Sequence, residues 1–224
     1  MADLYLVRHG QASLGSDNYD RLSTKGEQQC VWLGEHFARN GLRFDRVVSG
    51  TLQRHAQTLD AIRCALPDVP IQCEILAGLD EYDFHALFRA LGAEHRDLAE
   101  SVSGNPREFF KALRQVLQLW AEGALDERVP ETWSAFQQRV AAARSAIQQS
   151  GAQRVLAITS GGVIGALTQQ ALHALASTAI ALNMQIRNSS VTHCFFNREA
   201  FQLSSFNTVS HLDDPQRHAF QTYG

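Results

Sequence analysis

Four places in the sequence combine residue types that can do chemistry: Arg8-His9-Gly10, then Ser49 and Thr51 with Arg54, then Asp80, Glu81 and Asp83, then Ser160-Gly161-Gly162. Arg8 and Arg54 each offer a planar guanidinium fork, which matches the oxygens of a phosphate as a lysine point charge does not. His9 is a candidate nucleophile. An imidazole attacks phosphorus only through an unprotonated ring nitrogen, and two neighbouring arginine cations would depress its pKa from about 6.5 and keep it neutral at pH 7. Glu81 is the candidate acid for a leaving oxygen. Asp80 and Asp83 are like charges that would raise its pKa in a shared environment, and either of them is an alternative acid. Gly161-Gly162, opening a helix after a strand, presents free N–H groups and a positive dipole end to an anion. Ser160 fits both a helix cap and a phosphate contact, and the two are compatible.

These places must be brought together by the elements that carry them. Leu4 to Val7 is a short apolar run that reads as a buried strand ending at Arg8. A helical pattern follows from Ser23 to Asn40, capped by Ser23 or Thr24 and stopped by Gly41. Arg46 to Ser49 reads as a strand, Leu52 to Leu66 as a helix closed by Pro67, and Ile71 to Ile75 as a third strand. Residues 84–150 show almost no strand pattern but three amphipathic stretches, His85 to Leu91, Pro106 to Trp120 and Trp133 to Ile147, expected to form a helical insertion within a single domain. The strand pattern resumes at Val155 to Thr159, and a helix follows from Val163 to Leu175. Val191 to Phe196 and Phe201 to Phe206 flank a turn at Asn197 to Ala200 and read as a hairpin, so at least one strand is antiparallel. The last dozen residues read as a loosely held tail. The order implies an α/β fold, a three-layer α/β/α sandwich with a mostly parallel central sheet and the insertion over its carboxyl edge. Ligands of such sheets bind at the carboxyl ends of the strands, where all four reactive places fall.

Composition narrows the partners. At 224 residues, 45% hydrophobic and 19% charged, with net charge -3, the chain can bury roughly 70% of its unfolded surface and needs no staple. Only Lys25 and Lys111 are lysines among the 20 basic residues, and no basic stripe marks a nucleic-acid binder. No apolar stretch approaches the ~20 residues of a membrane span, and the opening residues do not read as a signal or transit peptide. Cys30, Cys64, Cys73 and Cys194 are scattered singly and read as reduced thiols. A cytoplasmic protein acting on a small-molecule phosphate ester is expected, with neither nucleic acid nor membrane as partner.

The chain resembles the histidine phosphatase superfamily, also called phosphoglycerate mutase-like. The likeness is carried in order by Leu6-Val7-Arg8-His9-Gly10, by Ser49-x-x-Leu52-x-Arg54-x-x-Gln57-Thr58, by Leu79-x-Glu81, and by Thr159-Ser160-Gly161-Gly162-Val163-Ile164. It implies that His9 becomes phosphorylated, that Arg8 and Arg54 hold the phosphate, that Glu81 donates the proton, and that no metal or other cofactor takes part. The expected reaction is hydrolysis of a phosphomonoester through a phosphohistidine, with Ser160 and the Gly161 N–H on the equatorial oxygens. A phosphoglycerate-type mutase and a catalytically weakened phosphate-binding or regulatory protein are the alternatives.

Two departures bear on that choice. Ser160 stands where the family usually has a second histidine, directly before the glycine pair. A hydroxyl donates a hydrogen bond but carries no charge, and loss of one oxyanion donor costs on the order of 10²–10³ in rate. His211 is the residue that could fold back in its place. The loop after His9 is also short: Gly15 matches the asparagine of the mutase branch, and Asn18 is the possible substitute. Other histidines read as bystanders, including His55, which follows Arg54 by one helical position and should point elsewhere. Glu81 and His85 are four apart but lack a third metal ligand. Trp120, Trp133 and Phe136 read as core of the helical segment, and Arg107, Lys111 and Arg114 as a solvated helix face.

Overall fold

The computed structural model describes residues 1–13, 20–95, 98 and 106–223. Strands β1 (Ala2–Arg8), β2 (Arg46–Ser49), β3 (Glu74–Ile75), β4 (Arg154–Thr159), β5 (Val191–Phe196) and β6 (Phe201–Thr208) form one sheet in the order β3-β2-β4-β1-β5-β6. β3, β2, β4 and β1 run parallel, and β5 and β6 add an antiparallel hairpin at one edge. Both faces are covered, and the central strands show it residue by residue. Val155 and Ala157 of β4 join one apolar cluster while Leu156 and Ile158 join the other; Leu4 and Leu6 of β1 face the first and Val7 the second. This alternation with apolar residues on both sides is the signature of a sheet buried between helix layers.

On the second face lie α1 (Thr24–Arg39) and α2 (Gln53–Ala65), whose Cys30, Leu33, Phe37, Leu59 and Ile62 fill that cluster. Ser23 caps α1 by accepting from Gly26 N–H at 3.0 Å, and Gly41, at φ +63°, takes the left-handed turn that ends it. The first face is covered by α5 (Trp133–Gln148) and α6 (Gly161–Ala171), with α3 (Phe84–Arg89), α4 (Pro106–Ala121) and α7 (Ala176–Asn183) packed around them. Val140, Ala143 and Ile147 of α5 share a cluster with Leu4 and Ala157, so the last of the three amphipathic stretches runs against the sheet itself. Trp120 and Phe136 are buried with Trp133 half-buried beside them, ring centroids 5.1 to 5.7 Å apart, as the core of the helical segment. Arg107, Lys111 and Arg114 are exposed.

Three expectations are corrected. The third strand covers only Glu74–Ile75: Ile71 is 92% exposed, and its carbonyl and that of Pro70 accept from Arg63 instead of a strand neighbour. The helix after the glycine pair stops at Ala171, and a separate α7 follows. The end of the chain is also tied down. Gln29 donates to the Phe220 carbonyl at 2.6 Å and to Thr222 Oγ1 at 2.9 Å, and Asn188 N–H donates to the Thr222 carbonyl at 3.0 Å. These are polar anchors that a hydropathy reading does not register. No helix among the described residues is long and apolar enough to cross a membrane, and all four cysteines are free.

Trp120 is fully buried and its indole N–H donates to the Glu131 carbonyl at 2.8 Å. Trp120→Ala is expected to lower the unfolding free energy by about 3–5 kcal/mol, read by urea denaturation followed by circular dichroism.

Candidate active site

The site forms where the parallel strands end. Arg8 pairs with Thr159 and Ser49 with Ile158, while His9 N–H donates to the Thr159 carbonyl at 2.9 Å and Gly50 N–H to the Ile158 carbonyl at 3.2 Å. His9, Gly50 and Ser160 therefore leave the sheet at one level, and α2 and α6 start beside them.

His9 is 2% exposed, and its Nδ1 lies 2.7 Å from the Gly10 carbonyl. A carbonyl only accepts, so Nδ1 carries the hydrogen and Nε2 keeps the free lone pair. The His9 backbone is also held: its carbonyl accepts from Ser189 N–H at 3.2 Å and from Asn188 Nδ2 at 3.4 Å. Gln57 and Thr58 fix the following loop by accepting from Leu22 N–H at 2.8 Å and Gly10 N–H at 3.1 Å. Burial pushes the His9 pKa well below its ordinary value, and Arg54, Arg8 and then His55 push it further, against the hydrogen bond to Gly10. The arginine effect expected from the sequence is present and ranks second to burial.

Arg8 and Arg54 are both buried. Arg8 Nη1 donates to the Ile186 carbonyl, and Arg54 Nη1 to Asp20 at 2.7 Å. Both cations act on Glu81 as well as on His9. Gly162 N–H donates to both Glu81 carboxylate oxygens at 3.1 Å, and a Cβ at position 162 would sit 2.3 Å from Oε1, so only glycine admits the carboxylate. The Glu81 pKa is raised by burial, against the Gly162 N–H, Arg54, Arg8 and the Tyr82 N–H. Asp80 and Asp83 are not its cause, which corrects the like-charge expectation. Asp80 accepts from Thr51 N–H and Thr51 Oγ, both at 2.6 Å, and Asp83 caps α3 through Ala86 N–H at 2.9 Å. Of the three acids, Glu81 is the one that meets the start of α6 and both arginine charges. Gly161 lies against Arg8, its hypothetical Cβ 3.5 Å from Arg8 Nε.

Ser160 begins α6 without capping it: its hydroxyl makes no bond to the helix backbone. It lies instead 2.7 Å from Nε2 of His55, which is fully buried with its ring centroid 5.8 Å from that of His9. The expectation that His55 points elsewhere is thus corrected. Helix-face spacing separates neighbours around an axis, yet Arg54 and His55, both in the first turn of α2, are both buried and both act on His9. A signal was present in the sequence: His55, Leu59 and Ile62 stand at i, i+4 and i+7, on the buried stripe of α2. Burial, then Arg54, lowers the His55 pKa to about 3.

His211 does not fold into the pocket. Its Nε2 lies 2.8 Å from Ser189 Oγ, behind His9, and it lines a separate cavity of about 150 Å³ with Tyr5, His36 and His193. Asn18 and Gly15 lie outside the described residues. Asp20 on Arg54, and Asn183, whose side chain donates to Tyr82 Oη at 2.9 Å, carry no motif that sequence reasoning could have used. Among the described residues no three His, Cys, Asp or Glu side chains gather as a metal site.

A model of the histidine phosphatase superfamily (branch 1) matches residues 4–209. The chain is similar in structure to a phosphoglycerate mutase from Bacillus anthracis, with TM-score 0.69, 19% identity and 94% of each chain covered. It is similar to an alpha-ribazole phosphatase from Shigella flexneri, with TM-score 0.65, 20% identity and 92% of this chain and 96% of that one covered. It is also similar to a phosphoserine phosphatase from Entamoeba histolytica solved with 3-phosphoglyceric acid, with TM-score 0.64, 18% identity and 95% and 100% covered. At these identities the likeness is one of fold. No curated protein matches the chain.

The buried histidines make stability depend on pH. His55 and His211 titrate at about 3 when folded and near 6.5 when unfolded, so between those values the unfolded chain binds more protons and acid favours it. Glu81, shifted upward, works in the opposite direction. Unfolding free energy is expected to fall as pH drops from 6.5 toward 4, by about 1.4 kcal/mol per pH unit per histidine. His211→Gln, outside the pocket, should flatten that slope by one such contribution in urea melts at pH 7, 6 and 5.

Proposed function

The chain belongs to the histidine phosphatase superfamily, and on that premise we propose that it hydrolyses a small phosphorylated metabolite through a phosphohistidine at His9. The observation that carries this reading is the Nδ1–H bond of His9 to the Gly10 carbonyl, which leaves Nε2 with the free lone pair of the ring in a pocket with two guanidinium groups. Nε2 attacks the phosphorus in line while Arg8, Arg54, Ser160 and the Gly161 N–H hold the equatorial oxygens. As the phosphorus–oxygen ester bond breaks, Glu81 gives its proton to the leaving oxygen, a task favoured by the burial that raises its pKa. The resulting carboxylate takes a proton from water as that water attacks the phosphohistidine, releasing phosphate and restoring the free imidazole. The cationic charge comes from arginine, and no step in this scheme calls for a metal.

p-Nitrophenyl phosphate turnover is expected in the wild type and absent in His9→Ala, with acid-labile, base-stable label from a phosphorylated substrate on His9 alone. Glu81→Gln should lower kcat by about 10²–10⁴ for an alkyl phosphate, whose leaving group needs the proton, and far less for p-nitrophenyl phosphate. Equal turnover in wild type and His9→Ala would contradict this reading, and interconversion of phosphoglycerates with negligible hydrolysis would mark a mutase instead.

A further inference from the structure

We propose that His55, acting through the Ser160 hydroxyl and braced by Asp80, is a positioning residue that turns Ser160 into a hydrogen-bond donor toward the transferred phosphoryl group. The inference rests on the phosphatase reading above and deepens it.

Its first support is an unbalanced hydrogen-bond account. Buried polar atoms are nearly always satisfied, and exceptions tend to mark working sites. Ser160 and His55 are fully buried; the serine hydroxyl does not cap its helix, and His55 Nδ1 has no hydrogen bond among the described residues. Asp80 Oδ1 lies 3.8 Å from that nitrogen. The second support is the room made for this arrangement. A Cβ on Gly50 would stand 2.4 Å from Asp80 Oδ1 and 2.5 Å from His55 Nδ1, so carboxylate and ring approach one another over a residue that has no side chain. The third is position: Ser160 leaves β4 at the level where His9 leaves β1, and the two imidazoles are 5.8 Å apart.

The charged and titratable groups facing His55 are Arg54 from its own helix, Asp80 from the turn before α3, and His9 from the end of β1. In the neutral ring, Asp80 favours the hydrogen on Nδ1, so Nε2 accepts from Ser160 and the hydroxyl hydrogen points away from the pocket. In the protonated ring, Nε2–H donates to Ser160 Oγ and frees the hydroxyl hydrogen for a phosphoryl oxygen. Burial and Arg54 hold the empty site neutral. A phosphoryl dianion beside the ring offsets the burial penalty on its charged form as well as the repulsion from Arg54, and the ring then takes one proton from solvent. The second imidazole of the site thereby acts from α2 through an oxygen, where Ser160 alone offers only an uncharged hydroxyl.

The test is a mutant cycle on the full chain with H55A, S160A, H55A/S160A and H55A/S160H, each checked for folding by its melting curve. It is read by p-nitrophenyl phosphate kinetics and by calorimetric titration with tungstate, a dianion near neutral pH. H55A is expected to lower kcat about 10- to 100-fold with KM within about threefold, a share of what a full oxyanion donor supplies. H55A/S160A should fall within about twofold of S160A, because one residue acts through the other. H55A/S160H, which places an imidazole in the vacated space, should regain about tenfold over H55A. Proton uptake on tungstate binding should be smaller in H55Q than in the wild type, which leaves the contributions of His9 and Glu81 in common. Should H55A fail to fold, H55Q, which keeps a hydrogen bond to Ser160 but cannot become a cation, takes its place in the cycle. Losses that multiply in the double variant, or an H55A enzyme with unchanged kcat and tungstate affinity, would overturn the proposal. If the wild type shows no His9-dependent turnover, the phosphatase reading fails on its own, and the tungstate cycle decides: a shared loss upholds the coupling and additive losses overturn it.

Discussion

Where β1 and β4 run out together, Arg8 opposite Thr159, the chain must leave the sheet with reactive side chains that have no ladder to hold them. The parallel pairing of these two strands is the constraint on which the rest of the site depends. It sets His9 beside Ser160, and the Thr159 hydroxyl donates to the Leu79 carbonyl at 2.6 Å, which anchors the turn that presents Glu81. A slip of one residue would turn Leu4 and Leu6 from one apolar cluster into the other and withdraw the pocket with them. Burial of the sheet on both faces and placement of the site are therefore one requirement.

Within the pocket, burial does most of the electrostatic work. It lowers the pKa of His9 and His55 and raises that of Glu81, in each case disfavouring the charged form, beside the guanidinium groups of Arg8 and Arg54. The arginines oppose the Glu81 shift and reinforce the histidine shifts, so one pair of charges tunes acid and nucleophile at once.

The sequence is legible where local pattern and tertiary role coincide. Val155 to Thr159 is apolar throughout because both faces are covered, and Arg8, His9 and Gly162 stand at a strand end or helix start that their neighbours announce. It is not legible where the deciding partner is remote. Ile71 has the residue type of a strand but no neighbour to pair with. The tail is polar, and its attachment depends on Gln29, about 190 residues away. His55 follows Arg54 by one helical position, yet its partner Ser160 is more than 100 residues on, and nothing local to α2 announces that contact. Asp80 and Asp83 adjoin Glu81 in sequence, but their side chains turn to Thr51 and Ala86, and burial raises its pKa instead.

The position of β1 between β4 and β5 also has a kinetic side. Its pairings link Asp3 with Arg154 and Leu4 with Cys194, so the centre of the sheet closes across most of the chain. Contacts of such long range form slowly, because the loop entropy is lost before the contacts that offset it exist. α1 and α2 are close in sequence, whereas the meeting of His9 with Ser160 is among the contacts that loop entropy delays most. Binding of an oxyanion would then report complete assembly, and a chain arrested before that closure would retain helices and yet present no pocket.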